Sequence, residues 1–235
     1  MANQFPGDFA LKEVNLYNHS ESQKIPIIPL VKEITLYESI FSSALQATLA
    51  IQDIGENLIS SMPLVGQEKI EILIGSGNRN YKLNFVIYRI DGRTMTEKNQ
   101  VYVVSCMSIE GLRNENYRIC ERVDGVKSEK LIKDVLKRNN FSTKKVVTDD
   151  TVFPFDMYVP NWRMFDLFHW LSRRSVPTYK KDSVGFLFYE TFEGFNYRSI
   201  DSLLDSKEYP GNGVKYKFYQ ANTNSTGVSE NEKYR

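Results

Sequence analysis

Glu190 and Glu193 stand three residues apart in the run GFLFYETFEGF, and Asp149 and Asp150 are adjacent. Two carboxylates flanking a glycosidic bond can serve as acid and base, so either pair could in principle hydrolyse a glycan. The local patterns argue otherwise. Glu190 and Glu193 straddle an expected hairpin turn, where polar residues are usual, and neighbouring carboxylates in a loop are ordinarily solvated. His19, in YNHSESQ, falls between two expected strands with no nucleophile-elbow motif to complete a Ser-His-Asp set. His169 lies in a helical pattern between Phe168 and Trp170, with Asp166 as its one nearby carboxylate, which favours a packed imidazole over a catalytic base. Cys106 sits in the apolar run VYVVSCM and reads as a small buried hydrophobe. With Cys120 it is too little for a disulfide framework, and neither thiol has metal-ligand spacing to a histidine. Both cysteines are expected to be reduced. GSGNRN lacks the lysine and the following helix of a phosphate loop, so it reads as a turn. No catalytic residue, cofactor or metal site is expected.

Fourteen Tyr and fourteen Phe could offer stacking platforms for sugars or single-stranded nucleic acid, yet no basic stripe accompanies them. The formal net charge is +1, from 30 basic and 29 acidic residues, which argues against a general grip on phosphate backbones. Core and subunit interfaces are the usual place for such aromatics. The opening MANQFPGDF has neither a basic region nor an apolar run, and no apolar stretch approaches the roughly 20 residues of a membrane span. A soluble protein without membrane insertion is expected, with its 235 residues divided between two modest domains.

The elements that would position these residues fall into two groups. From residue 25 to about 109 the signal is period-two alternation broken by turn clusters, the pattern of successive antiparallel strands. In SALQATLAIQ, residues 43–52, Leu45, Ala47, Leu49 and Ile51 face one way and Gln46, Thr48, Ala50 and Gln52 the other. VKEITLYES pairs with it through a connection at Ile40 and Phe41. QEKIEILI repeats the alternation at Ile70, Ile72 and Ile74 and turns at GSGNRN. YKLNFVIYRI and QVYVVSCMSI are apolar on both faces, as expected beneath another layer, with DGRTMTEKN as their link. Glu56 to Leu64 reads as a short helical or irregular plug at one barrel end.

After Gly111 the period changes. Ser128 is expected to cap SEKLIKDVLKRNN, whose Leu131, Ile132, Val135 and Leu136 form one stripe, with Asn139 or Asn140 ending it. KKVVTDDTV contains a short expected strand. Asn161 is placed to cap WRMFDLFHWLSRR, and GFLFYETF, a glycine turn and NYRSI form a hairpin. The fold class is therefore α+β and mainly β: an antiparallel barrel over residues 1–111, then a small helix-helix-hairpin α/β domain over 112–208. Residues 209–235 supply a partial strand and a polar tail that an isolated domain would leave disordered.

The wording ITLYESIFSSALQATLAIQD resembles the first tube-like domain of baseplate hub proteins of contractile-tailed bacteriophages, in which an aspartate, here Asp53, closes the second strand. YVPNWRMFDLFHWLSRRSV followed by GFLFYETFEGFNYRSIDSLLD is similar to the helix-plus-hairpin segment that these share with the hub part of contractile secretion-system spike proteins. The resemblance is one of pattern over roughly residues 10 to 205. It implies a non-catalytic homotrimer in the virion tail baseplate, assembled in the host cytoplasm and adapting the tail tube protein to the central spike protein beside neighbouring baseplate proteins. Family members continue into a second barrel, whereas this chain carries one. The polar, uncharged face of Gln46, Thr48 and Gln52 suits a wet lumen through which viral DNA slides without sticking, or an ordinary solvent face. A tail-associated carbohydrate-binding or glycan-degrading protein using Glu190 or Glu193 is the competing function.

Overall fold

Alternating burial builds the first half of the chain. The computed structural model describes residues 10–54, 58, 61, 62, 64–76, 79–96 and 99–204. Seven strands form one antiparallel sheet: β1 (Ala10–Tyr17), β2 (Lys24–Pro26), β3 (Val31–Tyr37), β4 (Gln46–Ile54), β5 (Lys69–Ser76), β6 (Arg79–Thr96) and β7 (Asn99–Ser108). Their order is β2-β1-β5-β6-β7-β4-β3. Strands β2 and β3 therefore end opposite edges of the sheet, yet only Ile27 and a single 3-10 turn, Ile28–Leu30, separate them in sequence. Laid flat, seven strands would set these edges roughly 29 Å apart at about 4.8 Å per strand. The link reaches at most about 18 Å even fully extended. The sheet must curl into a half-barrel, with the turn spanning its seam and the Ile27 N–H donating to the Val14 carbonyl at 2.8 Å.

The curl encloses an aliphatic core. Leu45, Ala47, Leu49 and Ile51 point inward as their alternation requires, with Ile70, Ile72 and Ile74 from β5 and Leu83, Phe85 and Ile87 from β6. Leu58 and Met62 pack into the same core, and the Met62 N–H donates to the Leu58 carbonyl at 2.7 Å. The remainder of the expected plug between Glu56 and Leu64 lies outside the described residues, apart from Ser61 and Leu64. So do the centre of the GSGNRN turn and residues 209–235.

Three differences from the sequence expectation concern this sheet and the segment after it. DGRTMTEKN is no linker: β6 runs on through Thr96 and pairs with β7 as far as Thr96↔Asn99. A register break between Asp91 and Thr94 absorbs the polar stretch, and Gly92, at φ +53, supplies the left-handed backbone such a bulge uses. The layer expected over β6 and β7 is local. Helix α1 (Ile109–Asn116) begins where β7 stops and buries Gly111 where a Cβ would lie 3.3 Å from the Met107 sulfur, but Tyr88 and Val101 stay exposed. Strand β8 (Arg118–Lys127) comes next, which the mixed polar sequence did not announce.

The rest is a mixed α/β region with its own, largely aromatic core. Helix α2 (Ser128–Lys137) turns its apolar stripe inward. Ser128 is its first helical residue rather than its cap, and its hydroxyl bonds Ser175 at 2.7 Å instead. Asn139 and Asn140, both at positive φ, end the helix as expected. Strand β9 (Lys145–Thr148) runs parallel to β12 (Gly194–Ser199), which pairs with β11 (Phe186–Thr191) as the expected hairpin. Gly194, at φ +135, lies so close to β9 that a Cβ would meet the Lys145 carbonyl oxygen at 2.2 Å.

Strand β10 (Pro154–Arg163) pairs with β8 and includes Asn161, which the sequence pattern places as a helix cap. Asn161 instead takes φ +54 in an irregular stretch of that ladder. Helix α3 (Met164–Ser172) starts after Arg163, and the orphan N–H of Phe165 is satisfied from elsewhere, by the Asn114 side-chain oxygen at 2.8 Å. Helix α4 (Ile200–Leu204) closes the described chain.

Candidate functional site

Two features stand out, one on the outside of the sheet and one where the two regions meet. On β4, Gln46, Thr48 and Gln52 all lie on the face opposite the core, because their neighbours Ala47, Leu49 and Ile51 are buried. Register places Met107, Ser105 and Val101 of β7 beside them, with Ala50 opposite Val103. No residue of this two-strand strip is charged. Charges begin at its margin, where Arg89 and Asp91 form an ion pair at 2.8 Å and Ser105 donates to Asp91 at 3.0 Å. The strip is thus a polar and small-apolar surface, flanked by the Arg89–Asp91 pair beyond β7 and by the exposed Glu33 of β3 opposite Ala50.

The junction is the reverse: charged and enclosed. Glu190, expected as a solvated turn residue, is 1% exposed in β11. Its carboxylate accepts the Leu45 N–H at 2.8 Å and the Ser108 hydroxyl at 2.6 Å, both from the end of the half-barrel. Lys144, just before β9, forms ion pairs with Glu190 and, at 2.6 Å, with Glu110 of α1. Ser142 donates to Glu110 at 2.7 Å. Burial alone would lower the Lys144 pKa, but the charges of Glu190 and Glu110 and their hydrogen bonds outweigh it and hold the ammonium above the ordinary lysine value. The result is one half-buried cation between two buried carboxylates, each with a further donor, which is the condition under which such charges are tolerated.

The same hairpin reaches the barrel at its tip. Phe192 packs on Tyr81 with ring centroids 5.9 Å apart, and Glu193, exposed, pairs with Arg79 at 2.6 Å. Glu190 and Glu193 therefore occupy different environments, one sealed against Lys144 and the other in solvent, and do not flank a shared cleft. Asp149 is also structural: it accepts from the Ser199 N–H at 2.8 Å and pairs with Arg198 at 2.8 Å.

The remaining candidates resolve locally. Asp53, near the end of β4, is fully buried and accepts the Leu58 N–H at 3.0 Å, tying the strand end to the segment that fills the core. Glu68 does the same for the Val65 N–H at 2.7 Å. Burial, with a contribution from the Glu68 charge, pushes the Cys106 thiol up to about 12, so it stays protonated and inert. Cys120 is exposed, and both thiols are free. His19 lies in an exposed turn. His169 projects from α3 to a Ser43 hydroxyl at 2.7 Å, and burial lowers its pKa, so it is neutral at pH 7. Among the described residues no group of three or more His, Cys, Asp or Glu side chains could hold a metal ion. Neither Lys144 nor Glu110 stands out in the sequence. The available signal was Glu190 itself, a lone carboxylate in the aromatic run GFLFYETF, because a charge in such a run demands a buried partner.

No protein-family model matches the chain, and no curated protein matches it. Solved structures do. The chain is similar to the 43 kDa tail protein of prophage MuSo2 from Shewanella oneidensis, with a TM-score of 0.54 and 12% identity, over 80% of this chain and 54% of that one. It is similar to the tail protein from Neisseria meningitidis MC58, with a TM-score of 0.52 and 11% identity, over 79% and 49%. It also matches the lidded PdpA-VgrG complex of Francisella, with a TM-score of 0.51 and 10% identity, over 89% and 31%. The chain spans about half the length of the two tail proteins and less of the third. The curled antiparallel half-barrel followed by a small mixed α/β region is a fold that this chain shares with part of each of these two tail proteins.

Proposed function

We propose that the chain is a structural, non-catalytic hub subunit of a contractile phage tail, located in the virion baseplate. In this reading three copies form a ring that joins the tail tube protein to the central spike protein, in contact with neighbouring baseplate proteins. Residues 1–111 act as its tube-like domain and 112–208 as its α/β domain. Gln46, Thr48 and Gln52 face the lumen through which viral DNA passes. The fold shared with tail proteins supports the structural role, and the uncharged strip on β4 and β7 is the observation that carries the lumen assignment. A surface that must let a polyanion slide should neither bind nor repel it strongly, and this strip presents no fixed charge. A glycan-degrading role gains no support from Glu190 and Glu193, since Glu190 is enclosed by Leu45, Ser108 and Lys144.

The test is a phage carrying Gln46→Lys together with Gln52→Lys. The expected outcome is particles of normal protein composition whose DNA leaves slowly, because two lysines per subunit on a threefold lumen would hold phosphate. Ejection at the parental rate would overturn the lumen assignment. A subunit that remains monomeric in assembled-tail extracts would overturn the ring.

A further inference from the structure

We propose that the groove between α3 and the β3–β4 connection is a docking site for an acidic segment of another protein, one whose carboxylates flank an apolar side chain. The groove has a volume of about 640 Å³, within the roughly 300–1,000 Å³ of ligand pockets. Its apolar walls are Phe41, which is 79% exposed, and Trp162 and Trp170, whose ring centroids lie 5.8 Å apart. An aromatic side chain that open is costly to leave in water and is a natural anchor for a partner's apolar group.

Charge selects the rest of the partner. Arg173 and Arg174 line the groove, and neither forms an ion pair with a carboxylate among the described residues. Asp166, the one acidic residue there, is already paired with Arg163 at 3.2 Å. His169 is tied to Ser43 and adds no charge at neutral pH. The groove is therefore cationic and aromatic, the residue types that dominate binding energy at protein interfaces. A glycan fits less well. The Arg174 guanidinium lies 4.1 Å over the Trp170 ring, and Phe155 abuts the same indole, so Trp170 offers no open plane for a sugar to stack on. The groove is separate from the β4 and β7 strip, so this inference and the lumen assignment fail independently.

Both tryptophans of the chain line the groove, so intrinsic fluorescence reads its occupancy directly. The full chain would be titrated with the blocked hexapeptide EELFEE, with KKLFKK as its charge-reversed control and with chitohexaose. EELFEE should shift or quench the emission saturably. It should bind at least tenfold more weakly to the Arg173→Glu, Arg174→Glu double variant, whose far-UV circular dichroism is checked against the parent, and more weakly as salt rises. The proposal is overturned by no saturable response to EELFEE, or by equal binding of KKLFKK. A response to chitohexaose alone would also overturn it, as would an emission change that depends only on protein concentration, which would assign the groove to a second copy.

Discussion

The half-barrel and the α/β region are both well packed but are specified by different means. The barrel core is largely aliphatic, Ile, Leu and Val with Phe85 and Tyr102, and its buried carboxylates Asp53 and Glu68 accept from neighbouring backbone N–H groups. The α/β core is built around Phe141, Phe165, Phe168, Phe186, Phe188, Phe195 and Tyr197, with polar networks threaded through it. Tyr197 donates to Ser175 at 2.6 Å, Thr151 to Glu129 at 2.5 Å, and Lys144 joins Glu110 to Glu190. A sheet satisfies its polar backbone by register alone, so its interior needs only apolar side chains. Short helices and strands meeting at angles leave more polar groups to match, and a fully satisfied network fixes one arrangement among many. The junction lies where both schemes meet.

That contrast predicts where the molecule is most easily broken. Lys144→Met should lower stability by about 3–5 kcal/mol, because it strands two buried carboxylates without their cation. The shift would be read in the urea midpoint at neutral pH. Adding Glu110→Gln and Glu190→Gln should restore most of it, since no unpaired charge then remains buried. A loss under about 1 kcal/mol for the single variant would reduce the junction to an ordinary surface pair. The ammonium is held above its ordinary pKa, so its contribution is complete below about pH 10.4 and is lost as pH rises through the raised folded value. The parent should therefore destabilise more steeply in alkali than the triple variant.

One substitution made in both regions sharpens the comparison. Gly194→Ala places a Cβ against the Lys145 carbonyl at a φ of +135, and should cost about 2–4 kcal/mol through strain and displacement of β9. Gly92→Ala, in the β6 bulge, meets nothing within 4 Å at a φ of +53, and should cost only about 1 kcal/mol. Equal costs would mean that β9 yields as easily as a bulge at the barrel rim.

The two regions also differ in how far they can be read from sequence. Period-two alternation at Leu45, Ala47, Leu49 and Ile51 needs no knowledge of distant residues, so β4 and its outward set Gln46, Thr48 and Gln52 emerge directly. The β11–β12 hairpin is legible for the same reason, with Gly194 marking its turn. The features that escape a local reading depend on partners far along the chain. DGRTMT has the composition of a turn and becomes strand because β7 offers it a ladder. IEGLRNEN is too polar to announce α1, and β8 and β10 are broken by irregular register. The cap of α3 comes from Asn114, 51 residues before Phe165, where no local motif could show it. The Glu110–Lys144–Glu190 junction is illegible in the same way, since three separated segments supply it.

Small effects test the surfaces. Gln46→Lys with Gln52→Lys should change stability by no more than about 0.5 kcal/mol, since exposed strand positions tolerate charge. A larger loss would mean that the strip is already covered in the isolated subunit, and the ejection test would then report on folding.

The smallest expected effect belongs to His169, and it runs opposite to that of Lys144. Burial and the nearby Arg173 lower its pKa, while Asp166 opposes them, so the folded protein binds a proton on this ring less readily than the unfolded chain does. Stability is then unaffected above about pH 6.5 and falls as pH drops toward the lowered folded value, because the unfolded state gains the proton first. His169→Gln keeps a hydrogen-bonding group opposite Ser43 and removes the titration. Its urea midpoint should decline less than the parent's between about pH 7 and 5.5. Parallel decline would show that the imidazole titrates in the folded protein as it does in the unfolded chain, and that the Ser43 contact does not resist protonation.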